Sequence, residues 1–243
     1  MSSYYLFIGA NSDIALDIYK KNVNQKYILI FRKKFNSKIR TGDYGFNLDL
    51  NHKKNYNKQL IKILIKFNIS KIFLFHGMRP SVDNGIYLNG DIENCININF
   101  LSYAVILNII NSNTPIDLNE VIVFGSIAGD RGKANNPVYD SSKGAVHELS
   151  RGYRSIFKKK NINLMLVKPG NVITKMTKNI DKKFFWVSTN VPALDILKKL
   201  NKNKFIIYTP YFWRWIMFVI KIIPESVFNF LNLDKKNNAK PKI

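Results

Sequence analysis

The sequence predicts an α/β fold, a single doubly wound parallel sheet with helices on both faces. Three observations carry this expectation. Short apolar, β-branched or aromatic runs recur along the chain, amphipathic stretches at helical spacing lie between them, and no repeat or Gly/Pro-rich linker divides the 243 residues. Strands covered on both faces read as nearly continuous hydrophobic runs, and their alternation with helices is the mark of a parallel sheet.

The elements follow in order. Residues 4–8 read as the first strand, 14–23 as a helix, 27–31 as the second strand and 45–48 as a weaker third. A helix is expected over 56–67, a strand over 71–75, a helix over 94–110 and a strand over 120–124. Residues 142–159 read as a helix, and 162–167 and 205–208 as the last strands. Residues 1–210 are expected to form the body, and 211–243 an apolar-aromatic, then basic, extension of the same domain. In that extension residues 211–223 read YFWRWIMFVIKII, with Arg214 and Lys221 the only charges. As a helix this run spans roughly 20 Å at 1.5 Å per residue, short of a roughly 30 Å hydrocarbon core. Pro224 then interrupts it. A core helix or an interfacial amphipathic segment remains.

Composition narrows the function classes. Hydrophobic residues at 46% with 22% charged exclude a disordered or fibrous chain. Cys95, the only cysteine, excludes an internal disulfide and a cysteine-built metal cluster, so no metal and a reducing, cytoplasmic setting are expected. The MSSYY start lacks the features of a secretory signal. The 38 Lys+Arg against 16 Asp+Glu leave +22. That surplus suits nucleic acid, an anionic membrane or substrate, or a genome drifting toward A/T-rich codons. The 31 Lys against 7 Arg and 33 Ile against 8 Ala assign part of it to drift. Before the tail the basic residues form no single stripe interleaved with aromatics, so no nucleic-acid partner is expected.

The first strand runs into Gly9-Ala10-Asn11-Ser12-Asp13-Ile14-Ala15. A glycine between strand and helix permits a tight turn, and the helix N-terminus offers free N–H groups to a pyrophosphate. Gly9, Asn11, Ser12, Asp13 and Ile14 are therefore candidate contacts, although Asp13 and Ala15 stand where glycines are usual. An ordinary turn capped by Ser12 or Asp13 fits the same residues. Basic Arg32, with Lys33 and Lys34, ends the second strand. It suits the 2′-phosphate of NADP(H), whereas an acidic residue there would suit NAD(H); a solvated basic loop is the plain alternative. Asp49, with Leu50 after it, ends the third strand region and is placed to reach an adenine; an ordinary loop aspartate fits the same position.

Ser126 follows the strand at 120–124, Tyr139 comes thirteen residues later, and Lys143 four after that in YDSSK. On a helix, i and i+4 share a face, so Lys143 can lie beside the Tyr139 phenol. An ammonium there is expected to lower the phenol from its ordinary pKa of about 10. Ser126 can hydrogen-bond a substrate oxygen that gains negative charge as its carbon exchanges hydride.

With these residues in place the sequence resembles the short-chain dehydrogenase/reductase family, a Rossmann-type fold, over nearly its whole length. The resemblance rests on GANSDIA, Asn99 in ININF, Ser126 in FGSIAG, Tyr139 and Lys143 in YDSSK, and PGNVIT at 169–174. It implies that Asn99, Ser126, Tyr139 and Lys143 form the catalytic tetrad. Lys143 would also bind the nicotinamide ribose, and Asn99 would hold a water linking Lys143 to solvent. Pro169, Gly170, Val172 and Thr174 would then lie against the nicotinamide, and residues 176–190 would form a substrate lid. The family's Asn-Asn-Ala-Gly run is here Leu74-Phe75-His76-Gly77, with only Gly77 in register, and His76 is expected to fill space near the adenosine rather than act in catalysis.

SIAGDRGKANNPVYDSSKGAV, VKPGNVITKMTK and the aromatic tail are most similar to the branch containing actinobacterial decaprenylphosphoryl-2-keto-ribose reductases. That likeness implies NAD(P)H reducing a keto group on a lipid-linked or nucleotide-linked sugar for cell-envelope polysaccharide; NADP(H) is favoured over NAD(H) on Arg32 and its neighbouring lysines alone. The implied partners are a keto-sugar substrate, with a polyprenyl phosphate as one candidate carrier, and a second copy in a homodimer or homotetramer. The aromatic tail and Lys235, Lys236, Lys240 and Lys242 suit peripheral contact with the inner face of the cytoplasmic membrane; alternatively Phe212, Trp213, Ile216, Met217 and Ile220 close the pocket or pack between subunits. Two rival functions are a general reductase of small or fatty carbonyls and a catalytically silent nucleotide-sensing or nucleic-acid-binding protein.

Overall fold

The apolar runs become strands because backbone N–H and C=O groups buried away from water must pair with one another. The computed structural model describes residues 3–51, 53–83, 86–178, 180 and 185–230. Seven strands form the main sheet: β1 (Tyr4–Ile8), β2 (Lys26–Phe31), β3 (Tyr44–Asn47), β4 (Ile69–Leu74), β5 (Glu120–Phe124), β6 (Asn163–Pro169) and β7 (Ile206–Thr209). Their order is β7-β6-β5-β4-β1-β2-β3, and every neighbouring pair is parallel. The winding reverses between β1 and β4, which opens a crevice at the strands' C-terminal ends.

Alternation along each strand divides the core in two. Leu6 and Ile8 of β1 join Ile28, Ile72, Val121 and Leu164 on one face, under α2 (Lys53–Lys66), α4 (Ser102–Ser112) and α5 (Pro137–Lys158). Phe7 joins Leu29, Phe73, Ile122 and Met165 on the other, under α1 (Asp13–Lys21) and α6 (Asn190–Lys199). The two-faced sheet is thus the one the strand–helix alternation predicts.

Three differences from the expected elements matter for the site. Helix α5 begins at Pro137, five residues before the expected start, because the Asn136 side chain caps it by accepting from Tyr139 N–H and Pro137 occupies a first-turn position. The expected 94–110 helix is interrupted. It comprises α3 (Asp91–Ile96), a π turn at Asn97–Leu101 and α4. The whole stretch is long and apolar enough to cross a bilayer by length and composition, yet Tyr103, Ile106, Leu107 and Ile110 are buried in the sheet's core. Helix α6 was not among the expected elements; Pro192 lies in its first turn, where a proline is tolerated.

The tail begins as α7 (Trp213–Ile222) and α8 (Glu225–Phe230). Trp213 and Met217 are buried against Ile127. Arg131 donates to the carbonyls of Ile220 and Ile223 at 2.6 and 2.7 Å and pairs with Glu225 at 2.7 Å. It therefore satisfies carbonyls that the end of α7 leaves open. Lys235, Lys236, Lys240 and Lys242 lie outside the described residues.

Candidate active site

A cavity of about 940 Å³ occupies the crevice. Of the residues singled out from sequence, Gly9, Asn11, Ser12, Asp13, Ile14, Arg32, Asp49, Leu50, Gly77, Ser126, Tyr139, Lys143, Pro169, Gly170, Val172 and Thr174 all line it. Asn99 does not line it and lies behind its wall.

At one end, Gly9 turns the chain with φ +85°, and a Cβ there would lie 2.6 Å from His76 N. Both the dihedral and the close approach require glycine. Ser12 holds the N-cap position of α1 without a side-chain cap bond, so the first-turn N–H groups are left for another acceptor. Asn11 ties this turn to the basic loop, donating to Lys34 O at 3.0 Å and accepting from Asn36 N–H at 2.9 Å. Asp13 turns away from α1 and accepts from Lys175 N–H at 2.7 Å, with the Lys175 ammonium 3.7 Å away. The loop after β1 is thereby strapped to the turn after β6.

At the other end, the Lys143 ammonium donates to Phe124 O at 3.1 Å. Burial lowers its pKa to about 8. A Cβ on Gly77 would sit 3.4 Å from both Lys143 Nζ and Asn99 Oδ1, so the glycine keeps space open between them. The π turn aims Asn99 at the segment after β4. Its Oδ1 accepts from Met78 N–H at 2.8 Å, and its Nδ2 donates to Met78 O at 2.8 Å and Ser142 Oγ at 3.0 Å. The expected lowering of the Tyr139 pKa by Lys143 is corrected by the structure: burial dominates and the net shift is upward. The leading opposition comes from the Arg79 guanidinium, followed by the Ser126 hydroxyl. His76 is neutral at ordinary pH, its pKa lowered to about 3 by burial and then by the Lys143 charge. Its Nε2 meets Ser102 Oγ at 2.8 Å.

Two groups of residues were not singled out from sequence. Arg79 lines the cavity with its guanidinium carbon 5.6 Å from the Tyr139 ring centroid. Beneath Ser126 lies a polar network: His147 Nε2 accepts from Ser126 N–H at 3.4 Å, and His147 Nδ1 lies 3.4 Å from Asp130. Asp130 also accepts from the Lys168 ammonium and from the Tyr208 hydroxyl at 2.7 Å. No motif marks these residues, because β6, β7 and α5 bring them together from distant stretches of chain. Trp186, within the expected lid, also lines the cavity, as do Met176, Thr177 and Ile180. Helix α7 contributes no cavity-lining residue among those described, so Trp213 and Met217 support the Ser126 turn from behind rather than close the pocket.

A doubly wound parallel sheet with its cleft at the switch point and a Ser, Tyr and Lys gathered at one end defines the dinucleotide-binding class of α/β dehydrogenases. The sequence profile described as short chain dehydrogenase matches residues 51–184, more than half of the chain. The protein belongs to the short-chain dehydrogenase family. A 3-oxoacyl-(acyl-carrier-protein) reductase of Buchnera aphidicola is 25% identical over 72% of this chain and 76% of its own length. An uncharacterized oxidoreductase of Mycobacterium tuberculosis is 25% identical over 44% of this chain, and a 3-oxoacyl-(acyl-carrier-protein) reductase of Bos taurus is 30% identical over 37%. The chain spans only 43% and 39% of the lengths of those last two relatives. Among solved structures, a short chain dehydrogenase from Burkholderia cenocepacia in complex with NADP superposes with a TM-score of 0.78 at 14% identity, over 95% of this chain and 97% of that one. The Sphingobium yanoikuyae short-chain dehydrogenase in complex with NADPH gives 0.73 at 16% identity, with 97% of each chain covered.

Proposed function

We propose that the protein is an NADP(H)-dependent reductase of a keto group on a lipid-linked or nucleotide-linked sugar used in cell-envelope polysaccharide synthesis. The observation that carries the reductase reading is one cleft holding Ser126, Tyr139 and Lys143 at one end and Arg32, Lys33 and Lys34 at the other. The cleft fits the cofactor: Gly9 leaves room that a Cβ would fill, the α1 N-terminus faces where a pyrophosphate would lie, and the basic loop suits a 2′-phosphate. The NADP-bound and NADPH-bound neighbours agree with that choice. NAD(H) is the second choice, and a neighbour in complex with NADH shares the fold.

When bound, NADPH supplies the hydride. The chain's own residues do the rest. Ser126 Oγ donates to the carbonyl oxygen and steadies its developing charge. Tyr139 gives its phenolic proton to the alkoxide. Lys143, fixed by Phe124 O, contributes positive charge and would hold the nicotinamide ribose. Asn99 braces the Met78 backbone beside them. Pro169, Gly170, Val172 and Thr174 line the same cavity and would form the wall that holds the nicotinamide.

The sugar reading draws on the likeness of the 126–146, 167–178 and tail sequences to the keto-ribose reductase branch. The curated relatives named as 3-oxoacyl reductases favour the second reading, a reductase of small or fatty carbonyls. Purified protein given NADPH and a lipid-linked 2-keto pentose should oxidise the cofactor and turn over simple ketones poorly; the reverse preference would reject the sugar reading. A cytoplasmic enzyme resting on the membrane accords with the exposed Trp215, Phe218, Val219 and Ile222 of α7. A homodimer or homotetramer is the proposed assembly.

Cofactor choice has its own test. Replacing Arg32 with Asp removes a charge-assisted contact worth about 1.5–3 kcal/mol and adds repulsion. Titration should show NADPH affinity falling at least roughly tenfold, with NADH affinity held or improved. An unchanged NADPH/NADH ratio would remove Arg32 from the cofactor site.

A further inference from the structure

We propose that Arg79 is an anion subsite, and that the substrate carries a phosphate or carboxylate on the carbon beside its ketone. The inference rests on the reductase reading, because it takes Tyr139 as the group that meets the ketone oxygen. The Arg79 guanidinium lies over the Tyr139 ring at 5.6 Å and faces the cavity. It is half-buried, and among the described residues no carboxylate lies within ion-pair distance of it. The other partly buried arginines differ: Arg40 pairs with Asp43 and Arg131 with Glu225. A cation withdrawn from water without a counter-ion is costly to keep, and an anionic ligand would offset that cost.

The backbone around Arg79 is fixed on both sides. Met78 exchanges both its N–H and its C=O with the Asn99 side chain, each at 2.8 Å. Pro80 O accepts from Asn136 Nδ2 at 2.8 Å. Both asparagines are buried, and Asn136 also caps the helix that carries Tyr139. One pair of side chains therefore sets Arg79 and Tyr139 relative to each other, the preorganisation that an oriented ionic contact needs. With the guanidinium 5.6 Å from the centroid of the ring that carries the reacting hydroxyl, its reach is to substituents on the carbon beside the ketone and not to a distant headgroup.

This geometry separates the two readings of the substrate. A 2-keto sugar on a lipid phosphate places its phosphodiester on the carbon next to the ketone. A 3-oxoacyl thioester places no charge near its ketone. Arginine suits either a phosphate or a carboxylate because its planar fork can donate two parallel bonds.

The test measures binding of dihydroxyacetone phosphate, acetoacetate and neutral dihydroxyacetone by calorimetry, to cofactor-free protein and to protein saturated with NADP⁺, which cannot reduce them. The wild type should bind at least one of the charged ketones tenfold or more tightly than dihydroxyacetone, and the preferred arm names the anion. Arg79→Gln should bring that ratio close to one, Arg79→Lys should keep part of it, and NADP⁺ affinity should stay within twofold in both. No charged-ketone preference in the wild type, a preference that survives Arg79→Gln, or a loss confined to NADP⁺ affinity would each overturn the proposal. Failure of the reductase reading shows separately, as absence of NADP⁺ binding before any ketone is added, while the cofactor-free arm still decides Arg79.

Discussion

Tyr139→Phe is expected to lower kcat by about 10²–10⁴-fold while leaving NADPH affinity unchanged. The substitution keeps the ring, its packing and the contact with Arg79, and removes only the hydroxyl that gives up the proton. Ser126 can still donate to the carbonyl oxygen, so residual hydride transfer should follow water-borne protonation. Adding Ser126→Ala should cost less than the product of the two single losses, because groups acting on one oxygen are not additive. The pH dependence follows from the direction of the phenol's shift. Burial raises its pKa, and Arg79 and Ser126 only partly oppose this, so the phenol is protonated at neutral pH and ready to act as an acid. Ketone reduction should therefore hold at neutral pH and fall as the phenol ionises, whereas alcohol oxidation, which needs phenolate, should rise toward alkaline pH. Stopped-flow measurement of both directions checks this. A Tyr139→Phe enzyme with full kcat would remove Tyr139 from the chemistry.

Asp130→Ala should produce the largest loss of stability, about 3–5 kcal/mol, as expected when a buried ion pair loses one partner. The Asp130 and Lys168 side chains are 3% and 2% exposed. Burial alone would raise the Asp130 pKa, but hydrogen bonds from His147, Lys168 and Tyr208 and the Lys168 charge hold it well below the usual carboxylate range. Lys168, in turn, is lowered by burial despite Asp130; without the carboxylate its ammonium loses the opposing attraction and tends toward the neutral form. Because the folded Asp130 pKa is depressed, its stabilisation is fully present above the unfolded value near about 4. It is lost progressively as pH falls through that value toward the folded one. Denaturant midpoints of wild type and Asp130→Ala should thus converge at low pH. Equal separation at pH 3 and pH 7 would assign the network no electrostatic role. The variant should also lose kcat, since His147 reaches from Asp130 to the Ser126 N–H.

The sheet was legible because hydrophobic runs report burial directly. β1 and β5 coincide with their expected bounds, and the other main strands shift by one or two residues at most of their ends. The glycine turn after β1 and the gathering of Ser126, Tyr139 and Lys143 in one cleft were legible too, because turn chemistry and i, i+4 spacing are local properties. Asp13 was less so. Its position in the motif places it at the α1 N-terminus, but Lys175, far along the chain, decides where the carboxylate points. Asn99 was recognisable as a residue but not as a brace for Met78, which depends on a π turn that residue pattern does not reveal.

By itself, the sequence determined the class of fold, the order of its seven main strands and which residues gather at one end of the cleft, since periodicity, turn residues and short-range spacing act within a few residues. Tertiary structure alone decided that burial outweighs Arg79 and Ser126 at the Tyr139 phenol, that Arg79 stands over that ring, and that Asp130, His147, Lys168 and Tyr208 meet beneath Ser126. These depend on desolvation and on charges brought together across the sheet, which exist only once β4, β5, β6, β7 and α5 have packed.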